Sequence, residues 1–296
     1  MNMDNATTKD RFSFIRKTPL SLHNPVVALL LCLASFFATS FNAMAQTTYT
    51  FAVVPQFEQR KLFAIWKPIV DEVAQRSGLS LKLVATLSVP EFEHGIGQGA
   101  FDFVYANPYH IMKVSSSQGY IPLVRDSAPL RGILVVRKDS PIHSPAELDG
   151  KTVAFPSPNA IGASLLMRAD LARLFKATVK PLYVKTHSSV YLHVVNGLAS
   201  AGGGVEKTLQ EQDPSIRDAL KVLYTTREMA SHPIAAHPRV PKEVREKLRS
   251  ALLEFGATRE GREMLAKVPM EQVVSTSIDD YAAMRTWGLE SLWVDE

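Results

Sequence analysis

Apolar and polar positions from residue 49 onward fall into two alternating patterns: short apolar runs, and stretches whose apolar residues recur every three or four positions. Residues 50–54 are such a run and predict a buried strand. Leu62, Trp66, Ile69 and Val73 then share one face of a helix, and Gly78 stands where that helix should stop. Leu79, Leu81, Leu83, Ala85 and Leu87 alternate as a strand does. Ser88-Val89-Pro90-Glu91 has the spacing of a capping box, in which hydroxyl and carboxylate satisfy the amides at a helix start. Residues 101–105 predict another strand, running into Asn107-Pro108, an N-cap with proline at the first helical position.

This βαβαβα order calls for a mostly parallel, twisted sheet flanked by helices. A strand over 131–137 follows; Ser144-Pro145-Ala146-Glu147 then repeats the capping signature, and 151–156 opens a second βα series. That series continues with a helix over 160–174, a strand over 182–185, a helix after His187 and a strand over 222–224. After a short apolar segment at 233–236, the pattern is helical over 241–255, 259–268 and 277–293. The reading is an α/β chain of two lobes, the first over 46–134, the second over 135–230, with 231–296 returning to the first and ending in helices. The segments near 131–137 and 230–237 are the expected crossovers. No period of 20–50 residues repeats, which excludes a solenoid.

Residues 1–45 stand apart. Lys9, Arg11, Arg16 and Lys17 precede an apolar run over 25–41 and then Ala43-Met44-Ala45. That is the order of a secretory signal peptide, so cleavage is expected after Ala45, delivering a chain that begins at Gln46 to the periplasm. Leu29-Leu30-Leu31 before Cys32 puts no small residue directly ahead of the cysteine, which argues against a lipid anchor. Cys32 is the only cysteine, so the mature chain could form no disulfide, thiol nucleophile or cysteine-ligated zinc site. The whole chain carries 33 basic and 29 acidic residues; removing four and two leaves 29 against 27, a net charge of +2. That balance excludes a polybasic nucleic-acid protein.

In open α/β sheets ligands bind beyond the carboxyl ends of the strands, where helix N-termini offer unpaired amides. Two stretches have that placement, the one around Asn107 and the one containing Ser157 and Asn159. His187 follows a predicted strand at the same end, and Phe57, Phe92 and Tyr105 lie where aromatic rings could wall a pocket. The plainer alternatives are that Asn107 and Asn159 only cap helices and that the aromatic rings only fill the core. Enzyme signatures fail: Gly202-Gly203-Gly204-Val205-Glu206-Lys207-Thr208 lacks the glycine spacing of a phosphate loop, and Gly162-Ala163-Ser164 does not complete a nucleophile elbow. His187 with His193, and His232 with His237, lack metal-ligand spacing. No catalytic residue, metal or cofactor is expected.

Three stretches carry a family resemblance: Phe101-Asp102-Phe103-Val104-Tyr105-Ala106-Asn107, Val135-Val136-Arg137-Lys138-Asp139-Ser140-Pro141-Ile142, and residues 144–155 with their Leu148-Asp149-Gly150-Lys151-Thr152-Val153-Ala154-Phe155 core. On these the chain resembles the PhnD-like periplasmic proteins of phosphate, phosphite and phosphonate ABC importers. The resemblance implies a type II periplasmic-binding fold, closure on a small anionic ligand, an inner-membrane permease as partner, and a monomer. It also implies ligand-facing roles for Tyr105, Phe92 and His187. Two departures stand out: Asn159-Ala160-Ile161-Gly162 replaces the family's Ser-Thr-Ser-Gly, and Ser200 stands where many members carry an acidic residue. A sensory role, with a membrane histidine kinase or chemoreceptor as partner, is the alternative on the same fold. Replacing His187 or Tyr105 by Ala is expected to weaken binding and leave the fold intact.

Overall fold

Strand β1 (Thr48–Val53) and β2 (Ser80–Ala85) pair in parallel because helix α1 (Gln59–Ser77) carries the chain back between them. In this computed structural model, which describes residues 47–268 and 270–295, α1 buries Leu62, Ile65, Trp66, Ile69, Val70 and Val73, and ends at Gly78 with φ +66°. A left-handed residue there is best supplied by glycine. Helix α2 (Val89–Gly97) is capped as its sequence predicts: Ser88 Oγ accepts from Glu91 N at 3.3 Å, and Glu91 Oε2 accepts from Leu87 N at 2.7 Å. Strand β3 (Phe103–Tyr105), helix α3 (Pro108–Val114) and strand β4 (Ile121–Asp126) follow.

The second set begins with β5 (Gly132–Arg137) and β6 (Thr152–Phe155), then a π-helical turn (Ile161–Leu165) continuing into α4 (Leu166–Arg173). Next come β7 (Lys180–Tyr183), α5 (His187–Val195), β8 (Ala201–Val205), α6 (Glu206–Gln210), α7 (Pro214–Arg217) and β9 (Leu220–Thr225). The chain ends with β10 (Ile234–Ala236), α8 (Lys242–Ala257), α9 (Arg259–Leu265), β11 (Val273–Ser275) and two short 3₁₀ helices, Ile278–Thr286 and Glu290–Leu292. No helix among the described residues is long and apolar enough to cross a membrane. The expected signal peptide lies outside the described residues.

The strands form two sheets, in the orders β11-β4-β10-β3-β1-β2 and β7-β6-β8-β5-β9. The chain passes from the first sheet to the second between β4 and β5 and back between β9 and β10, and Leu130 and Met229 bridge these two connections. Both sheets are mixed rather than mostly parallel. Strands reached by helical crossovers run parallel, β1 with β2 and β3, and β6 with β7 and β8. Strands entered straight from the other sheet run antiparallel, β5 beside β8 and β9, and β10 beside β3 and β4. A chain that arrives from outside the sheet needs no helical return, and that return is what enforces parallel pairing.

The pattern predicts no strand at 201–205, since glycine is a poor strand former. Yet β8 lies at the centre of its sheet and is fully buried. Its glycines are explained by contact: a Cβ at Gly202 would lie 2.5 Å from Val190 Cγ1, and one at Gly204 2.2 Å from Tyr191 Oη. The expected helix over 277–293 is also absent as an α-helix. Its backbone carbonyls bond to basic side chains of the second lobe instead: Arg173 donates to Trp287 O and Gly288 O, and Arg168 to Leu292 O.

Candidate ligand cavity between the lobes

The strand ends and helix starts of both sheets converge on one cavity, lined from the first lobe by Gln56, Val89 and Asn107, from the second by Ala160, Ile161, Ala163 and His187, and from the returning crossover by His232. At about 20 Å³ it holds little more than one water-sized group. The lobes touch around it: His187 N donates to Gln56 O at 3.3 Å, Asn107 Nδ2 to Asn159 O at 3.4 Å, and Lys61 Nζ to Glu211 O at 2.9 Å. The structure is therefore the closed form of the cleft.

Each donor is held by local chemistry. Asn107 caps α3, its Oδ1 accepting from His110 N at 2.9 Å, while its Nδ2 lies 2.7 Å from His110 Nε2 and 3.4 Å from Asn159 O in the other lobe. His110 Nε2 lies 2.8 Å from Glu93 Oε1. The π-turn leaves the N–H groups of Ile161, Gly162 and Ala163 without an acceptor inside their own helix. Gly162 is glycine for a steric reason, because a Cβ there would press on the backbone of Gly132, 3.2 Å from its N.

His187 opens α5, and its Nδ1 lies 3.2 Å from Thr208 Oγ1. Thr208 Oγ1 donates to Val205 O at 2.9 Å and lies 2.8 Å from Tyr191 Oη, so the tautomer of His187 is set by what meets its Nε2. Burial pushes the His187 pKa down to about 4, so the ring is neutral at pH 7. His232 is lowered further, to about 3, by burial first and then by repulsion from His110 and His187. Its Nδ1 is buried without a partner, and its Nε2 lies 3.4 Å from Gln56 Nε2. Among the described residues, no Asp, Glu, Lys or Arg lines the cavity.

Of the residues singled out by sequence, Asn107 and His187 line this cavity. Tyr105 stands one layer behind it, fully buried, with its ring stacked on His232 at 5.3 Å and against Trp66 at 4.6 Å. Its hydroxyl has no partner among the described residues, and burial raises its pKa well above the ordinary value. Phe57 and Phe92 are core residues; Phe92 packs between the rings of Phe101 and His110, 5.8 Å from each. Ser157, its Oγ buried and unpartnered, lines a neighbouring groove.

Asn159 neither caps its helix nor reaches the cavity. Its Nδ2 donates to Glu93 Oε2 at 2.9 Å and Val294 O at 2.7 Å, while its Oδ1 accepts from Val294 N at 3.0 Å. Ser200 precedes β8, whose far end reaches the cavity at Val205, roughly 17 Å away along an extended strand. It is too distant to touch a ligand held there. Sequence reading missed Gln56, which follows β1 with no motif, and His232, whose spacing from His237 fits no site.

The position of Tyr105 changes what its replacement should do. Tyr105→Ala would empty a fully buried ring site and should cost about 3–5 kcal/mol, so it should unfold before it reports on binding. Tyr105→Phe keeps the packing and deletes the unpartnered hydroxyl. A thermal melt should place it at or above the parent; a fall of several degrees would mean that the hydroxyl has a partner.

The described geometry matches known proteins in fold and family. No curated protein matches the sequence. Among solved structures, a binding protein of an ABC phosphonate transporter from Pseudomonas aeruginosa is 18% identical, with TM-score 0.71, over 82% of this chain and 85% of that one. The methylphosphonate complex of PhnD1 from Prochlorococcus marinus is 14% identical, with TM-score 0.73, over 81% and 97%. An ATP-bound Xanthomonas citri protein is 16% identical, with TM-score 0.66, over 83% and 98%. The family model described as ABC transporter, phosphonate, periplasmic substrate-binding protein matches residues 51–281, nearly all of both sheets. On that match the chain belongs to the phosphonate ABC transporter periplasmic substrate-binding family.

Proposed function

We propose that this protein captures a small tetrahedral oxyanion of the phosphonate type between its lobes and hands it to an inner-membrane permease, acting as a monomer. Its family role is that of the periplasmic component of an importer, which favours transport over sensing. One observation carries the ligand class: among the described residues, the cavity is lined by hydrogen-bond donors and by no carboxylate. Neutral donors hold an oxyanion well when they are fixed before it arrives, since no reorganisation is then needed. The amides at 161–163, Asn107 Nδ2, Gln56 Nε2 and His187 Nε2 form that set; backbone amides stand in for the hydroxyls that Ala160 and Ile161 have replaced.

The present cavity is smaller than a phosphonate, so the bound form holds its lobes slightly further apart and the empty form swings wider. The moving parts are 46–134 with 231–296 and 135–230, hinged at the two bridged crossovers. Residues 1–45 provide the export signal, with Gln46 as the first residue of the mature chain.

Isothermal titration of the purified protein with methylphosphonate, phosphate, sulfate and a set of neutral and cationic metabolites tests this reading. Methylphosphonate should bind. Asn107→Ala and His187→Ala should each weaken it about 10- to 100-fold, as expected for a lost hydrogen bond of about 1.5–3 kcal/mol to a charged group. Binding of only neutral or cationic compounds would overturn it.

A further inference from the structure

A second depression opens at the mouth of the cleft, a groove of about 470 Å³. Val89 and Pro156 wall both it and the enclosed cavity, which makes the two neighbours. Its first-lobe side is formed by Leu87, a large apolar side chain 72% exposed. Facing Leu87, the second lobe offers the ring of Tyr183, also exposed, and Ser157, whose buried Oγ has no partner. Lys185 lies at the same rim with φ +75°, a left-handed conformation that costs a side-chain-bearing residue about 1 kcal/mol or more. No carboxylate lies within ion-pair distance of its ammonium among the described residues. Glu91, the carboxylate that lines the groove among the described residues, accepts from Leu87 N at 2.7 Å. The position just before the cap of α5 thus holds a strained, unpaired cation where a ligand would leave the cavity.

From this adjacency, and resting on the oxyanion reading above, we infer that the site takes organophosphonates whose substituent leaves the cavity between Val89 and Pro156 and lies in this groove, its body apolar and its far end anionic. The enclosed cavity has room for a compact headgroup only. The mouth supplies an apolar wall for the body of the substituent, the Ser157 hydroxyl for one polar atom, and Lys185 for a terminal negative charge. A terminal ammonium would meet Lys185 with like charge and would have Ser200 too far away to help.

Titration with four ligands decides the matter: methylphosphonate, phenylphosphonate, 3-phosphonopropionate and 3-aminopropylphosphonate. Phenylphosphonate should bind at least about fivefold tighter than methylphosphonate, and the carboxylate-ended compound about tenfold tighter than the amine-ended one. Leu87→Asp should abolish the phenyl advantage and leave methylphosphonate unchanged. Lys185→Glu, which keeps the same backbone strain, should reverse the order of the two charged ends. If methylphosphonate binds while every longer ligand binds more weakly, or if both variants shift methylphosphonate as much as the others, the groove assignment is wrong and the oxyanion reading stands. If no phosphonate binds, both fall.

Discussion

Taking the protein from pH 7 to pH 4 should lower its unfolding midpoint by about 10–20 °C, and replacing His187 and His232 together by Gln should remove most of that fall. Both imidazoles are buried in the cavity wall, which pushes His187 down to about 4 and His232 to about 3 from an ordinary value of 6.5. Below pH 6.5 the unfolded chain therefore binds protons that the folded chain refuses. Stability is whole above 6.5 and declines as pH drops toward the two folded values. Each unit of displacement is worth about 1.4 kcal/mol, so the pair removes on the order of 5 kcal/mol by pH 4. At about 2–4 °C per kcal/mol for a domain of this size, the stated shift follows. Carboxylates held below their ordinary value, such as Asp102 with its Thr50 and Arg239 partners, act in the same direction only at more acid pH.

Thermal melts followed by circular dichroism at pH 7, 6, 5 and 4 provide the check. An equal fall in parent and double variant would assign the acid sensitivity to other groups. A bound oxyanion should oppose the trend, because it favours the imidazolium form of any histidine it touches. Melts with saturating methylphosphonate should accordingly show a smaller drop toward pH 4.

Gly203→Ala should cost about 3 kcal/mol and weaken ligand binding more than tenfold at temperatures where the variant is still folded. A Cβ at Gly203 would lie 1.9 Å from the carbonyl oxygen of Ala163 and 2.7 Å from Phe155 Cδ1. Backbone cannot swing aside as a side chain can, so the π-turn must shift, and overpacking of that kind costs about 1–3 kcal/mol or more. The midpoint should fall by about 6–12 °C. The segment displaced carries the free amides of residues 161–163, and for that reason binding should suffer beyond the loss of stability. Gly132→Ala presses on the same turn from β5, its Cβ 2.0 Å from Gly162 O, and should behave alike. Gly97→Ala has open space within 4 Å and serves as the control. Equal melting of the Gly203 and Gly97 variants would refute the packing account.

The elements most legible in the sequence were those whose information is local. Leu62, Trp66, Ile69 and Val73 repeat at the helical period and are buried on one face of α1, with Gly78 in the left-handed conformation at its end. Ser88 and Asn107 cap the helices that their spacing announces. Strands β4 and β11 escaped the pattern, and so did β8. In β8 small residues stand where larger ones cannot fit, and a contact surface supplied by Tyr191, Val190 and Phe155 leaves no periodic trace.

The candidate site divides along the same line. Asn107 and His187 could be named in advance because each sits at a helix start just beyond a strand. Asn159 looked the same in sequence, but its amide is occupied by the backbone of Val294, 135 positions later. Tyr105 and Phe92 share the cavity's neighbourhood but belong to the core, whose outer layer alone faces the ligand. Gln56 and His232 carry no motif and meet only because the first strand and the returning crossover end beside each other.

By itself, then, the sequence determined the α/β order, the helix caps and the family, since hydrophobic period, capping chemistry and short motifs act over a few residues of chain. The tertiary structure decided which strands run antiparallel, which residues face the cavity, and that its histidines are neutral. Strand direction depends on how the chain enters a sheet, and cavity lining and proton affinity depend on burial by segments far away in sequence.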